Sequence, residues 1–159
     1  MIAALSAALM VLSAPAGNPA ERGETVTLSV ALPAGGIRPG SSARVTLLVT
    51  VAKGWHINSA SPPDSELVAT TVAATPPAGL TVSGVRFPPA ERKTFSFSSD
   101  PLEVYEGTVT VSLEISASVG TAPGEYAIPL EISYQACDNN VCLPPAAVRT
   151  TATVRVISP

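Results

Sequence analysis

Alternation of apolar and polar residues dominates this chain and predicts β-strands. The clearest stretch runs from Thr108 to Ile115, where every second residue is apolar. Because successive strand side chains point to opposite faces, this period predicts sheets with one face on a core. Glycines and prolines between the alternating stretches predict turns. The other stretches predicted as strands are residues 25–32, 45–51, 67–73, 80–87, 126–134 and 148–157.

Two residues predict irregularities within these strands. Gly84 lies where the apolar positions change face, which predicts a β-bulge. Pro129 has no backbone N–H to donate, so it predicts an edge position or a local break in pairing for its half of the strand. No stretch has helical periodicity over a useful length. Seven to nine short strands therefore predict an all-β fold, an antiparallel β-sandwich of immunoglobulin-like type.

Composition narrows the class of protein. The 159 residues predict one domain with a substantial core, and 46% of them are apolar against 13% charged. The formal net charge of −3 and the lack of Lys or Arg clusters exclude nucleic acid as an expected partner. No phosphate-binding loop and no nucleophile elbow occur, so hydrolase functions lack their parts. We expect a monomer.

The N-terminus divides the chain into three parts. Residues 1–16 form an apolar run ending in small residues, too short for a membrane span of about 20 residues, which predicts a signal peptide. Because no Lys or Arg precedes the apolar run, an upstream start or an uncleaved tail stays open. Residues 17–23 are a polar lead, and residues 24–159 are the predicted domain.

Both cysteines lie in one segment, and it holds the candidate chemistry. Cys137 and Cys142 are separated by polar, turn-forming residues between two alternating strands, which predicts the end of a hairpin. Opposite Cα atoms in an antiparallel pair lie about 4.5–5.5 Å apart, within reach of a disulfide. A loop this short gains only about 2 kcal/mol from the cross-link. The bond therefore suits redox exchange, but spacing alone favours a structural disulfide.

A second candidate segment is Gly54–Asn58, which contains the only Trp and the only His of the chain, Trp55 and His56. A metal ion needs three or four ligands, and no further ligand-spaced residues accompany His56, so we predict no metal site and no cofactor. On composition, both residues are interpreted as structural. Residues 88–101 are likewise interpreted as a solvated loop.

The cysteine segment resembles a known redox hairpin. Tyr134-Gln135-Ala136-Cys137, a polar turn and Cys142-Leu143-Pro144-Pro145 are similar to the active-site hairpin of the N-terminal periplasmic domain of the thiol:disulfide interchange protein DsbD. Gly54–Asn58 is similar to that family's Gly-aromatic segment. The stretch from Phe87-Pro88-Pro89 to Tyr105-Glu106-Gly107 is similar to the region carrying its cap loop. The order and spacing agree over residues 24–157.

The resemblance implies roles for individual residues. Cys142 matches the cysteine that forms the mixed disulfide with a partner, and Cys137 matches the one that resolves it. Tyr105, or less favourably Phe95 or Phe97, is the implied shield over the cysteines. The residues implied to flank the site are Trp55, His56 and Tyr134.

The resemblance also implies partners and location. The partners would be thiol:disulfide redox proteins: a thioredoxin-like or membrane electron donor, and exported acceptors that carry disulfides. The location would be the periplasm or another extracytoplasmic compartment. The alternative hypothesis is an extracytoplasmic binding or structural β-sandwich whose hairpin disulfide is only structural.

Overall fold

The computed structural model describes residues 25–158 as antiparallel sheets joined by turns. The predicted signal peptide and the whole polar lead lie outside the described residues. The strands are β1 (Val26–Ala31), β2 (Ser42–Val51), β3 (His56–Asn58), β4 (Thr71–Ala74), β5 (Leu80–Arg86), β6 (Glu91–Lys93), β7 (Leu102–Tyr105), β8 (Thr108–Ala117), β9 (Gly124–Tyr134), β10 (Ala136–Cys137) and β11 (Ala146–Val156).

These strands form three sheets around one core. Their orders are β1-β2-β8-β5, β11-β9-β4 and β10-β3-β7-β6. The apolar positions of β8 that the alternation predicted to face inward are buried, and so are those of β2. The corresponding positions of β9 are also buried, apart from Tyr126, which is half-buried. They meet in a single cluster of buried residues, whose burial drives folding. The prediction of an all-β, immunoglobulin-like antiparallel β-sandwich is confirmed.

Both predicted irregularities are present. The β5–β8 register shifts between Ser83 and Arg86, and Gly84 adopts a positive φ of 59° at this bulge. β9 is a central strand, but its register with β4 stops at Leu130. Pro129 pairs with Thr151 of β11, and on the β4 side its carbonyl oxygen accepts a hydrogen bond from Thr75 N at 3.0 Å. The missing N–H therefore costs no ladder hydrogen bond with β4.

The described residues contain eleven strands, more than the seven to nine predicted. The additional strands are short. β3, β6 and β10 have two or three residues each, too few for alternation to be recognised in the sequence. All three belong to the third sheet. Residues 88–101, which were predicted to be a loop, contain the strand β6. This small sheet carries the cysteines.

Candidate redox site

The cysteine hairpin is held closed by backbone hydrogen bonds on both sides of the disulfide. Cys137 at the end of β10 is bonded to Cys142, and their Cα atoms lie 4.0 Å apart, closer than the predicted 4.5–5.5 Å. Leu143 N donates to Ala136 O at 2.8 Å, and Asp138 N donates to Val141 O at 2.9 Å. The cysteines are thus a directly opposed pair between two hydrogen-bonded ones.

Asp138 organises the turn between the cysteines. Its Oδ1 accepts hydrogen bonds from the backbone N–H groups of Asn140 and Val141, both at 2.7 Å. This is the local geometry that makes Asp favourable in tight turns. The two hydrogen bonds lower the pKa of the Asp138 carboxyl below its usual value. Asp138 therefore holds a negative charge beside the disulfide.

The two sulfur-bearing residues differ in exposure. Cys137 is only 3% exposed, whereas Cys142 belongs to the exposed residues of the turn. In thiol–disulfide exchange, access decides which sulfur an incoming thiolate attacks. The hairpin therefore presents Cys142 to a partner and keeps Cys137 inside.

His56 lies directly across from Cys137 in the small sheet. The β10–β3 register pairs Cys137 with His56 and Ala136 with Ile57. Ala136 and Ile57 belong to the core cluster, so the alternation of strand faces turns Cys137 and His56 to the other side. His56 is 2% exposed, and burial lowers the pKa of its imidazole, while nearby Glu106 and Asp138 oppose this shift.

An aromatic loop covers His56. Phe95, in the β6–β7 loop (residues 94–101), is 8% exposed and stacks on the imidazole with ring centroids 4.1 Å apart. Phe97 is 46% exposed and stacks on Phe95 at 5.3 Å. The Ser96 hydroxyl donates to Asn139 O at 3.2 Å and joins this loop to the cysteine turn. Nothing in the sequence pattern marked Ser96 or Asn139 as partners.

Tyr105 occupies the opposite face of the same sheet. It pairs with Ile57, which places its ring with the core residues rather than with His56 and Cys137. Its hydroxyl donates to Pro88 O at 3.2 Å, and its ring stacks on Phe87 at 5.8 Å. Burial raises the pKa of the Tyr105 hydroxyl. Tyr105 thus packs on the core-facing side of the small sheet, opposite the face that carries His56 and Cys137.

Trp55 and Tyr134 also pack on the core side. Trp55 is half-buried against the core cluster. Tyr134, at the end of β9, is 1% exposed, and its hydroxyl lies 3.4 Å from Thr25 Oγ1. Of the predicted flanking residues, the structure therefore brings His56 to the disulfide-bearing face. Trp55 and Tyr134 instead support the strands that carry it.

Residues 25–158 contain no group of three or more His, Cys, Asp or Glu side chains arranged to hold a metal ion. Within the same residues, no helix has the length and apolar character needed to cross a membrane.

One solved structure supports the fold, and two more are similar at lower TM-scores. The N-terminal domain of DsbD from Neisseria meningitidis, in the reduced form, is 20% identical with a TM-score of 0.51, over 82% of this chain and 86% of that one. A complex of the DsbD and PilB N-terminal domains from the same organism matches at 20% identity and TM-score 0.45, over 68% and 73%. The N-terminal periplasmic domain of ScsB from Proteus mirabilis matches at 17% and 0.49, over 84% and 47%. No protein of curated function matches by sequence.

A β-sandwich with an accessible disulfide on a short hairpin has the construction of a thiol:disulfide exchange module. The family model for the N-terminal domain of the thiol:disulfide interchange protein DsbD matches residues 24–153. The chain belongs to this family. Family membership and the Cys137–Cys142 disulfide together assign the domain a role in thiol:disulfide interchange.

Proposed function

We propose that Cys142 forms the mixed disulfide with partner proteins and that Cys137 resolves it. The observation that carries this assignment is the difference in exposure between the two residues. An incoming thiolate reaches the exposed Cys142, and the buried Cys137 leaves as a thiolate, so one protein disulfide is exchanged for another. In the reverse direction Cys137 attacks the mixed disulfide and releases the partner's thiolate.

Phe95, rather than Tyr105, is the proposed shield on the Cys137 side of the disulfide. Its ring covers His56, which lies opposite Cys137, and the neighbouring Ser96 is tied to the cysteine turn. Tyr105 faces the core from the other side of the sheet. A shield has a physical purpose, because a thiol pair that serves particular partners must avoid exchange with other thiols.

The partners we propose are extracytoplasmic thiol:disulfide redox proteins. A thioredoxin-like or membrane protein supplies the electrons, and exported proteins with disulfides accept them. Family membership supports this class of partner and the periplasmic location. The formal net charge of −3 does not favour a nucleic acid partner.

The first test is the reduction potential of the Cys137/Cys142 couple, measured by equilibrating the protein with a thiol buffer. A value clearly above about −300 mV, reached without unfolding, is expected for an exchange site. A lower value, or reduction only on unfolding, would identify the alternative, a structural disulfide. The short loop makes that alternative less favourable, because the cross-link gains only about 2 kcal/mol.

The second test separates the roles of the cysteines. Cys137→Ser leaves the attacking thiol and removes the resolving one, so we expect it to accumulate a mixed disulfide with a model disulfide protein. The matched variant Cys142→Ser keeps only the buried thiol and is expected to accumulate little. Stronger trapping by Cys142→Ser would reverse the assignment.

A further inference from the structure

His56 is a buried titratable group that the exchange reaction, as described so far, does not use. Its side chain is 2% exposed, and among the described residues its Nε2 atom is buried with no hydrogen-bond partner. Leaving a buried polar atom unpaired is unfavourable, so the absence of a partner in the oxidised protein calls for an explanation. A partner that exists only in the reduced protein would supply one.

The geometry supplies one candidate for that partner. His56 and Cys137 are directly opposed in the β3–β10 pair, and such pairs place their Cβ atoms about 4.5–5.5 Å apart on one face. In the oxidised protein the Cys137 sulfur is bonded to Cys142. Once that bond is broken, the Cys137 sulfur becomes a thiol or thiolate beside the imidazole. Phe95 stacks on the imidazole of this pair.

We propose that His56 accepts the proton of the Cys137 thiol during the resolving step. This inference rests on the proposed function and adds a residue to it. The proton passes from Cys137 to His56, and the Cys137 thiolate attacks the Cys142 sulfur of the mixed disulfide. The Cys137–Cys142 bond forms, the bond to the partner breaks, and the partner leaves as a thiolate that takes the proton from His56. Two electrons pass to the partner sulfur, and no other reagent is required.

The charges around His56 agree with a proton that is held only during reaction. Burial disfavours the imidazolium in the oxidised protein, whereas a thiolate within a few ångströms favours it. Two carboxylates act on the ring: Glu106, which follows β7, and Asp138 in the cysteine turn. Lys93 on β6 opposes them and is itself paired with Glu106. The thiolate of Cys137 is the only one of these charges that appears and disappears with the redox state.

The experiment uses the fact that His56 is the only histidine in the chain. Protein purified without a histidine tag gives one imidazole signal in a proton NMR titration. In the oxidised protein we expect it to titrate below the usual value of about 6.5. In the reduced protein we expect the charged imidazole to persist to higher pH by about one unit or more, as a coupled titration with the thiol. Neither single-cysteine variant can form the disulfide. Cys142→Ser, which keeps the Cys137 thiol, should show the raised titration of the reduced parent, and Cys137→Ser should not.

A kinetic measurement provides the second readout. The reduced protein reacts with the aromatic disulfide of 5-thio-2-nitrobenzoate, and the second release of the coloured thiol reports the attack by Cys137. His56→Phe keeps a ring to stack on Phe95 but cannot take a proton. At pH 7 we expect the second release from His56→Phe to be slower by about threefold for each unit by which the substitution raises the pKa of the Cys137 thiol. A higher pKa leaves less thiolate, and this loss outweighs the greater nucleophilicity of the thiolate that remains. At high pH the variant should equal or overtake the parent.

The outcomes separate the two proposals. An imidazole signal that ignores the redox state, or a His56→Phe rate reduced equally at every pH, would overturn the role of His56 and leave the exchange function intact. If the parent protein gives no second release at all, both proposals are wrong. His56→Gln, which is polar and does not titrate in this range, replaces His56→Phe if the latter does not fold. Phe97→Leu serves as the control for disturbance of the covering loop and should not shift the pH profile.

Discussion

The hydroxyl of Ser96 donates a hydrogen bond to the carbonyl oxygen of Asn139, so the loop that carries Phe95 is fastened to the turn between the cysteines. The two residues are 43 positions apart in the sequence, and the strands that precede them, β6 and β10, lie at opposite edges of the small sheet. The covering loop and the reactive turn are therefore joined by one contact that spans the site.

Removing this contact should make the disulfide easier to reach. A hydrogen bond of this kind contributes about 1 kcal/mol, so Ser96→Ala is expected to raise the rate of reduction by a small thiol up to about fivefold. The measurement is the pseudo-first-order rate with excess glutathione. Ser98→Ala is the matched control, because Ser98 bonds to Asp100 O within the same loop. Equal effects of both variants would contradict a role for the Ser96 contact.

Replacing the Phe95 ring that covers His56 should increase the access of small thiols to the disulfide more than Ser96→Ala does. Phe95→Leu keeps an apolar residue but removes the stacked ring, and we expect reduction by small thiols to become several-fold faster. Phe97 is about half exposed and stacks on Phe95, so Phe97→Leu should change the rate much less. The same assay measures both variants. A stronger effect of Phe97→Leu than of Phe95→Leu would contradict the assignment of Phe95 as the shield.

The stability of the oxidised protein should depend on pH through His56. Its folded-state pKa is lowered by burial, so the unfolded chain binds the proton more readily. Neutral His56 makes its full contribution to the free energy of unfolding above the unfolded-state pKa of about 6.5. As pH falls below that value the contribution is lost, by at most about 1.4 kcal/mol per pH unit. Urea unfolding between pH 5 and 8 measures it, and His56→Phe should remove the slope. The lowered pKa of Asp138 acts in a separate window, below about pH 4.

Asp138 should influence the redox equilibrium through the shape of the turn. Asp138→Ala removes the acceptor of two backbone hydrogen bonds, so the reduced thiols are held together less well and the disulfide becomes easier to reduce. We expect a rise in reduction potential of up to about 30 mV, a tenfold change in the equilibrium constant. Asp138→Asn retains an acceptor oxygen and should shift the potential less. Equal shifts would assign the effect to charge instead.

Stability and redox function should be separable at the far end of the sandwich. Gly36 has a φ of 71°, and a Cβ there would lie 2.7 Å from Arg155 O. Gly36→Ala should therefore destabilise the fold by about 1–3 kcal/mol or more. Its neighbours pair with the end of β11 that is remote from the cysteine hairpin, so the reduction potential should not change. Gly35→Ala, whose Cβ would meet nothing within 4 Å, is the control.

The long strands were predictable from sequence because burial repeats every second residue over many positions. The inward-facing residues of β8 and the interruption at Pro129 follow directly from local chemistry. The site was predictable as a pair of cysteines on a hairpin. The faces of β3, β7 and β10 were not predictable, because strands of two to four residues take their orientation from pairing rather than from a pattern of their own.

This limitation explains why Tyr105 and Phe95 are difficult to distinguish in the sequence. Both are aromatic and both lie in the stretch that resembles the cap region. Only the register, Tyr105 with Ile57 and His56 with Cys137, shows that Tyr105 points to the core while the other side is left for Phe95. A long-range pairing of this kind carries no local sequence signal.

The hydrogen bonds that flank the disulfide have a further consequence for an electron carrier. Leu143 N to Ala136 O and Asp138 N to Val141 O do not involve sulfur, so opening the bond between Cys137 and Cys142 leaves the backbone frame of the hairpin intact. The two thiols then remain as neighbours that need little movement to rejoin. The reduced and oxidised forms therefore differ by little reorganisation, which suits a domain that cycles repeatedly between them.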